Sequence, residues 1–240
     1  MLQQITKRIW ALPCEEKTDR PNLYYIHGDK RSLAIDAGNS PAHVEKFYAA
    51  LREKGLPLPE VTLITHWHWD HTFGLTAVQG MTIASEKTNE QLRRVQDWIW
   101  TPENMKYREQ TGEDIPFCNE HILVEYEDLN AIRVIPAQNA LEGALTFDLG
   151  GVTCRALTAD SPHSRDALLI HIPEENALAL GDAYCEDYYD NAGKFDPTRL
   201  AAFINLIEPI PFEHVLEGHA EPWSKAELMA EMGNVLEDLR

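Results

Sequence analysis

Cysteine is scarce in this sequence, and the few cysteines lie far apart. No C-x-x-C pair occurs among them, and this spacing favours reduced thiols over a disulfide framework or a structural zinc site. The cysteines are Cys14, Cys118, Cys154 and Cys185. We therefore expect free thiols in a reducing compartment, and a cytoplasmic protein.

Long apolar runs are also lacking. No segment approaches the roughly 20 apolar residues that a membrane span needs. Residues 1–7 lack the apolar stretch of a signal peptide. We expect a protein that neither crosses a membrane nor is exported.

Basic residues are few, since 21 Lys and Arg stand against 39 Asp and Glu, a formal net charge of −18. Nucleic-acid binding depends on clustered cations that release counterions from phosphate groups, so this balance argues against a nucleic-acid partner. The partner we expect is a small-molecule substrate. The sequence carries no signal for the oligomeric state.

Potential metal ligands are concentrated in one segment, residues 65–71, directly after the apolar run 61–64. In an extended chain alternate side chains point the same way, so two histidines and the aspartate share one side and two tryptophans the other. The last histidine needs a turn to join them. In order, the residues are His66, Trp67, His68, Trp69, Asp70 and His71. Imidazole and carboxylate ligands suit zinc first, with iron or manganese as alternatives.

Hydrophobic patterns in the rest of the chain predict an α+β protein. The first half has predicted strands at 4–12, 22–27, 32–36, 61–65 and 81–84 and a helix at 41–54. The second half has predicted strands at 131–135, 144–149, 152–157, 167–172, 177–180 and 214–217, and helices at 197–207 and after Ser224. This order predicts two sheets faced by outer helices, a four-layer αββα sandwich, in a single domain of residues 1–240.

Residues 86–128 differ from both halves because their apolar spacing is helical and they are rich in aromatic residues. We interpret them as a helical insertion packed over the domain. Trp98, Trp100 and Tyr107 would offer apolar contact area to a small substrate, so the insertion is predicted to be a substrate lid.

Three further segments end a strand-like pattern on a polar residue next to Gly or Pro, which lets the backbone turn sharply. They are residues 161–164 with His163, 180–182 with Asp182, and 217–219 with His219. In this order after the histidine motif, they resemble the metallo-β-lactamase superfamily, and the resemblance covers nearly the whole chain. It implies an αββα sandwich with metals at one edge of the two sheets.

Carried over position by position, the resemblance implies two metal ions. One ion would have His66, His68 and His163, the other Asp70, His71 and His219, with Asp182 bridging. All seven positions hold the expected residue type. The remaining histidines match no ligand position and are interpreted as structural or surface residues: His27, His43, His121, His171 and His214.

The reaction that the resemblance implies is hydrolysis by a hydroxide bridging two divalent metals, most simply zinc, with a small ester, thioester, lactone or amide as substrate. Asp70 and Asp182 are catalytic as ligands, and Tyr184 is a candidate for hydrogen bonding an oxyanion or leaving group. Two alternatives remain open, a mononuclear iron oxygenase on the same fold and a non-catalytic metal-binding module.

Some features bear on the branch of the superfamily. Residues 159–163 read Ala-Asp-Ser-Pro-His where the glyoxalase II and persulfide dioxygenase branches have Thr-Pro-Gly-His, so thioester specificity is not implied. Asp182 is retained where some secreted β-lactamases have cysteine. Segments 161–166 and 182–191 are similar to those of a group of bacterial metallo-hydrolases.

Overall fold

Two β-sheets form the centre of the computed structural model, which describes residues 1–239. The first sheet has seven strands in chain order: β1 (Gln3–Gln4), β2 (Ile9–Leu12), β3 (Leu23–His27), β4 (Ser32–Ile35), β5 (Val61–Leu63), β6 (Met81–Ser85) and β7 (Asn139–Leu141). The second sheet has six: β8 (Ala144–Asp148), β9 (Thr153–Ala159), β10 (Ala167–Ile172), β11 (Ala177–Gly181), β12 (His214–Glu217) and β13 (Trp223–Ser224).

Helices cover the outer faces of both sheets. They are α1 (Pro41–Glu53), α2 (Trp69–Thr72), α3 (Glu86–Val95), α4 (Pro102–Thr111), α5 (Pro116–Glu125), α6 (Pro197–Ile207) and α7 (Lys225–Asp238). Short 3-10 turns lie at Glu16–Thr18, Leu75–Ala77, Leu129–Ala131 and Pro173–Glu175. Within residues 1–239 no helix is both long enough and apolar enough to cross a membrane.

The central strands are apolar on both faces because each sheet is covered on both sides. On β3, Tyr24 and Ile26 enter the core between the sheets, whereas Leu23 and Tyr25 pack under α1. On β10, alternate residues likewise divide between the core and the layer that α6 and α7 cover. The result is a four-layer αββα sandwich, as the sequence predicts.

Strand direction places the ends of several strands at one edge. In the first sheet β4, β5 and β6 are parallel neighbours, so the residues that follow Ile35, Leu63 and Ser85 leave the sheet on the same side. In the second sheet β11 and β12 are parallel, so the segments that follow them also leave together. The segments that carry the predicted ligands therefore share an edge.

One strand prediction is wrong, and two strands are missed. Residues 131–135 form no strand: a 3-10 turn ends at Ala131, and Ile132 and Val134 are buried without a strand partner. Pro136 follows them and has no amide hydrogen to donate to a ladder. The strand of this region is β7, which the sequence analysis does not predict, and β13 is missed as well.

The strand predicted at 4–12 is interrupted. Its residues form two short strands that pair with each other, Gln3 opposite Ala11 and Gln4 opposite Trp10. The amides of Ile5 and Thr6 donate to the Ile9 carbonyl and close the turn between them. Most other predicted elements agree with the structure to within two residues.

Candidate metal centre

The seven predicted ligands lie in two groups at the shared edge of the sheets. In each group one ligand atom per residue lies within 4.8 Å of the others. The first, which we call the three-histidine group, contains His66, His68 and His163. The second, which we call the aspartate group, contains Asp70, His71, Asp182 and His219.

The three-histidine group joins the two sheets. His66 and His68 lie on the irregular segment between β5 and α2, and His163 lies in the turn between β9 and β10. The Nε2 atom of His163 is 2.9 Å from the Nδ1 atom of His68. The Nε2 atom of His66 is buried and has no hydrogen-bond partner. All three residues are buried, and their free ring nitrogens point toward one another.

The aspartate group depends on α2, because this short helix turns Asp70 and His71 toward the residues that follow β11 and β12. Asp70 therefore reaches the site from a helix and not, as the sequence analysis expects, from an extended chain. Its Oδ2 atom lies 3.0 Å from His71 Nε2 and 2.9 Å from His219 Nε2. Asp182 Oδ2 lies 3.4 and 3.5 Å from the same two nitrogens.

Two members of the three-histidine group, His66 and His68, are in the protonation state that binds a metal ion. Burial, reinforced by the neighbouring histidines, lowers the pKa of His66 and His68 well below the ordinary value. Both rings are therefore neutral at physiological pH, the form in which imidazole binds metal. A divalent cation would also give His66 Nε2 the partner it lacks, since buried polar atoms are rarely left unpaired.

In the aspartate group, neighbouring opposite charges outweigh burial in setting the pKa values of Asp182 and His219. Burial acts to raise the pKa of Asp182, but His71 and His219 outweigh it and lower that pKa below its usual range. Burial acts to lower the pKa of His219, but Asp182 and Asp70 raise it to about 9. This arrangement of anions around imidazoles fits a cation, whose binding would displace the protons.

Asp36 fixes two of the ligands from behind. Its Oδ2 atom is 2.8 Å from His71 Nδ1, and its Oδ1 atom accepts a 2.7 Å hydrogen bond from the Thr65 amide. The Thr65 hydroxyl lies between Asp36 Oδ2, at 3.0 Å, and His66 Nδ1, at 3.1 Å. Asp36 has a φ of +67°, a left-handed conformation that is costly for a residue with a side chain. The strain at Asp36 coincides with its position behind the ligands.

Two other ligands have their own partners. His163 Nδ1 lies 2.7 Å from the carbonyl oxygen of Glu186. His219 Nδ1 lies 3.7 Å from Asp19 Oδ1, and burial together with Asp70 raises the pKa of Asp19 to about 8. Such contacts orient a ring and select which nitrogen faces the metal.

Gly218 is required by the packing of the aspartate group. A β-carbon at this position would lie 2.2 Å from Asp182 Oδ1 and 2.9 Å from His71 Cε1. Real contacts are longer, so any side chain here would displace a ligand. The glycine next to His219 is therefore part of the site.

Tyr184 is not brought to the ligands. Its ring stacks on Phe195 at 5.5 Å and on Trp223 at 6.5 Å, in the apolar layer beneath α6 and α7. Two other aromatic rings lie at the site: that of Tyr189, with its centroid 5.0 Å from that of His68, and that of Trp67, 4.9 Å from that of His68.

The region 86–128 contains α3, α4 and α5, and its tryptophans pack inward. Trp100 is only 7% exposed, and its ring centroid lies 5.3 Å from that of Phe73. The guanidinium of Arg108 lies over Trp98 and Trp100, at 4.3 and 4.7 Å from the ring centroids. Tyr107 is 60% exposed. This region contacts residues of the site in more than one place: the Tyr189 hydroxyl donates to Asp114 Oδ1 at 3.1 Å, and the Arg94 guanidinium lies 5.5 Å from the centroid of the Trp67 ring.

The five histidines assigned no ligand role lie outside both groups. His43 is fully buried, and the other four are partly buried. Sequence reasoning missed Asp36, Asp19 and Tyr189 as residues of the site. Asp36 alone had a local signal, a carboxylate at the end of a strand parallel to the one that carries the motif.

The structure thus combines a sandwich of two sheets with two groups of histidine and aspartate at the shared edge that could hold metal ions. A profile of the Metallo-beta-lactamase superfamily matches residues 18–197. The chain therefore belongs to the metallo-β-lactamase superfamily.

Curated relatives match part of their length only. The Lactamase-like protein adaB of Aspergillus niger is 24% identical over 186 residues, which are 75% of this chain and 45% of that protein. The Lactamase-like protein GME11357 of Pestalotiopsis microspora is 25% identical with the same coverage. The chain thus spans less than half the length of these relatives.

Solved structures share the fold at low identity. A metallo-β-lactamase from Pontibacter korlensis has a TM-score of 0.68 and 15% identity, with 99% of this chain and 98% of that chain covered. The sec-alkylsulfatase Pisa1 from Pseudomonas sp. has a TM-score of 0.70 and 14% identity, with 98% of this chain but 40% of that chain covered. These likenesses concern the fold alone.

Proposed function

We propose that the protein is a hydrolase with two divalent metal ions, zinc in the first place, that acts on a small ester, thioester, lactone or amide. The observation that carries the proposal is the pair of ligand groups with Asp182 beside His71 and His219. An oxygenase with a single iron would leave part of this donor set unused. A non-catalytic module would have no need of all seven donors.

Each part of the site has a task in this proposal. Bound divalent ions supply Lewis acidity, which polarises a carbonyl oxygen and lowers the pKa of water toward neutrality. The imidazoles and carboxylates would hold the ions, and Asp36 and Thr65 fix the rings of His71 and His66. The ring of Tyr184 packs on Phe195 and Trp223, so the proposal does not depend on a substrate contact by this residue.

The substrate has access from the side of His219, whose side chain is 34% exposed while that of His71 is fully buried. The Trp67 and Tyr189 rings lie next to His68, at 4.9 and 5.0 Å between ring centroids. In this proposal a small substrate meets carboxylates and imidazoles beside His219 and aromatic rings beside His68. A cytoplasmic location and a small-molecule substrate, with neither nucleic acid nor membrane as a partner, belong to the same proposal.

Asp182→Ala tests the proposal. Loss of the carboxylate shared by two imidazoles is expected to abolish hydrolysis, at least a 100-fold fall in kcat/KM, with the circular dichroism spectrum unchanged. The substrates are a panel of p-nitrophenyl esters, thioesters, lactones and amides in zinc-supplemented buffer. Asp97→Ala, which removes an exposed carboxylate, is the control with unchanged activity. Undiminished activity of metal-replete Asp182→Ala protein would refute the proposal.

A further inference from the structure

Arg199 of α6 connects the loop that carries His163 to the loop that follows β11, which contacts the three-histidine group. Its guanidinium donates to the carbonyl oxygen of Ser161, two residues before His163. It also donates to Asp187 Oδ2 at 2.6 Å and to Asp160 Oδ1 at 3.2 Å. The side chain of Arg199 is 10% exposed and that of Asp187 is 4% exposed. The ion pair is therefore almost completely removed from water.

Asp187 organises the loop that follows β11. Its Oδ1 atom accepts hydrogen bonds from the amides of Tyr189, at 3.1 Å, and Asp190, at 2.8 Å. Its Oδ2 atom is the one that receives Arg199. One carboxylate thus fixes the backbone of the loop with one oxygen and anchors it to α6 with the other.

Both neighbours of Asp187 reach the three-histidine group. The carbonyl oxygen of Glu186, one residue earlier, faces His163 Nδ1 at 2.7 Å. The ring of Tyr189, two residues later, lies against His68. Arg199 therefore acts on His163 twice, through the Ser161 carbonyl on one side and through Asp187 and Glu186 on the other.

We infer that the buried Arg199–Asp187 pair is a positioning device for the three-histidine group alone, an inference that rests on the proposed function. The ring of His163 must be held at a fixed angle for its Nε2 atom to face His68 and His66. A planar guanidinium with donors in a fixed fork sets the relative position of two loops more rigidly than a lysine would. The aspartate group has separate supports, Asp36 for His71 and Asp19 for His219.

A selective effect on one of two metal ions distinguishes positioning from general stability. Arg199→Met is expected to lower the metal affinity of the three-histidine group by about 10- to 100-fold, as loss of an orienting partner typically does. The ion of the aspartate group should keep its affinity. Metal affinity is measured by chelator competition with Zn²⁺, and Co²⁺ absorption reports the surroundings of each ion.

Arg165→Met is the matched control. Arg165 also pairs with Asp160, at 3.5 Å, and with Asp190 of the same loop, at 3.6 Å, but its side chain is 57% exposed. Its removal should leave both affinities unchanged, because exposed ion pairs contribute little. Asp187→Asn provides a second variant that retains an acceptor for the two loop amides while losing the charge that pairs with Arg199.

Two backgrounds identify the affected ion. In a His219→Ala background, which weakens the aspartate group, Arg199→Met should still lower the affinity of the remaining ion. In a His163→Ala background it should have no further effect. The inference would be overturned if Arg199→Met and Asp187→Asn lowered the affinities for both ions equally, or lowered neither. Wild-type protein that binds fewer than two ions would instead overturn the proposed function.

Discussion

Asp36 supports the site without being one of the seven ligands. Replacement by alanine removes the acceptor that holds His71 Nδ1 and leaves the buried Thr65 amide without its partner. We predict that Asp36→Ala lowers the metal affinity of the aspartate group by about 10- to 100-fold. The unpaired amide should also cost about 1 to 3 kcal/mol of stability.

Chelator competition and urea unfolding measure these two effects. Asp29→Ala is the control, because it removes a carboxylate that is 65% exposed and pairs with Arg8 away from the site. Normal metal affinity in Asp36→Ala protein would mean that His71 is oriented by other contacts.

Replacing Gly218 by alanine adds only one methyl group but is expected to have a large effect on metal binding. Since the new β-carbon would overlap Asp182 Oδ1, Gly218→Ala should abolish binding at the aspartate group. Gly233→Ala is the matched control, because no atom lies within 4 Å of the added carbon and the residue is inside α7. There alanine should stabilise the helix by about 0.5 to 1 kcal/mol. Retained metal stoichiometry in Gly218→Ala protein would contradict this geometry.

At the residue scale, ligand types were predictable and their supports were not. His66 and His68 occur within one short motif, and the order of the later ligands resembles the family pattern. The supports join residues far apart in the chain, such as Arg199 with Asp187 and Tyr189 with Asp114. No local spacing encodes such pairs, because tertiary folding alone brings them together.

At the scale of elements, the helices of residues 86–128 behave as a packed layer around Trp100. This side chain lies in an apolar cluster with Phe73 and Met105. We predict that Trp100→Ala destabilises the protein by about 3 to 5 kcal/mol, the usual cost of removing a buried aromatic ring. The folded fraction should retain its KM and metal content.

Urea unfolding and steady-state kinetics separate stability from substrate binding for this variant. The exposed Tyr107 provides the comparison, since Tyr107→Ala should change stability by no more than about 0.5 kcal/mol. A raised KM for Trp100→Ala at unchanged stability would contradict this prediction and support the interpretation of residues 86–128 as a substrate lid.

Element boundaries were predictable where hydrophobic alternation coincided with a cap or a turn. Asp196 and Pro197 start α6, and Ser224 with Glu227 forms a capping box at the start of α7. The same alternation failed at Ile132 and Val134, because burial against the insertion produces the pattern without a strand partner. Periodicity reports which side chains are buried and not where backbone hydrogen bonds go.

At the scale of the whole molecule, we predict that metal binding and folding are linked. The two groups join segments of both sheets, so ions bound there stabilise the native state by mass action. At a free zinc concentration 100 times the dissociation constant, each ion should contribute about 2.7 kcal/mol. Chelation is therefore predicted to lower the Tm, and zinc to restore it.

Thermal unfolding with and without chelator tests this linkage. A variant that carries both His163→Ala and His219→Ala is the control, because it should lose most of the response to zinc. If the wild-type protein had the same Tm in both conditions, ions bound at the two groups would not stabilise the native state.

Zinc titration of metal-free protein, with hydrolysis followed at each addition, tests the central claim most directly. The two groups in the structure predict binding of two equivalents, with activity reaching its maximum only as the second ion binds. Activity that saturates at one equivalent, or that persists in metal-free protein, would contradict a hydrolase built on both groups.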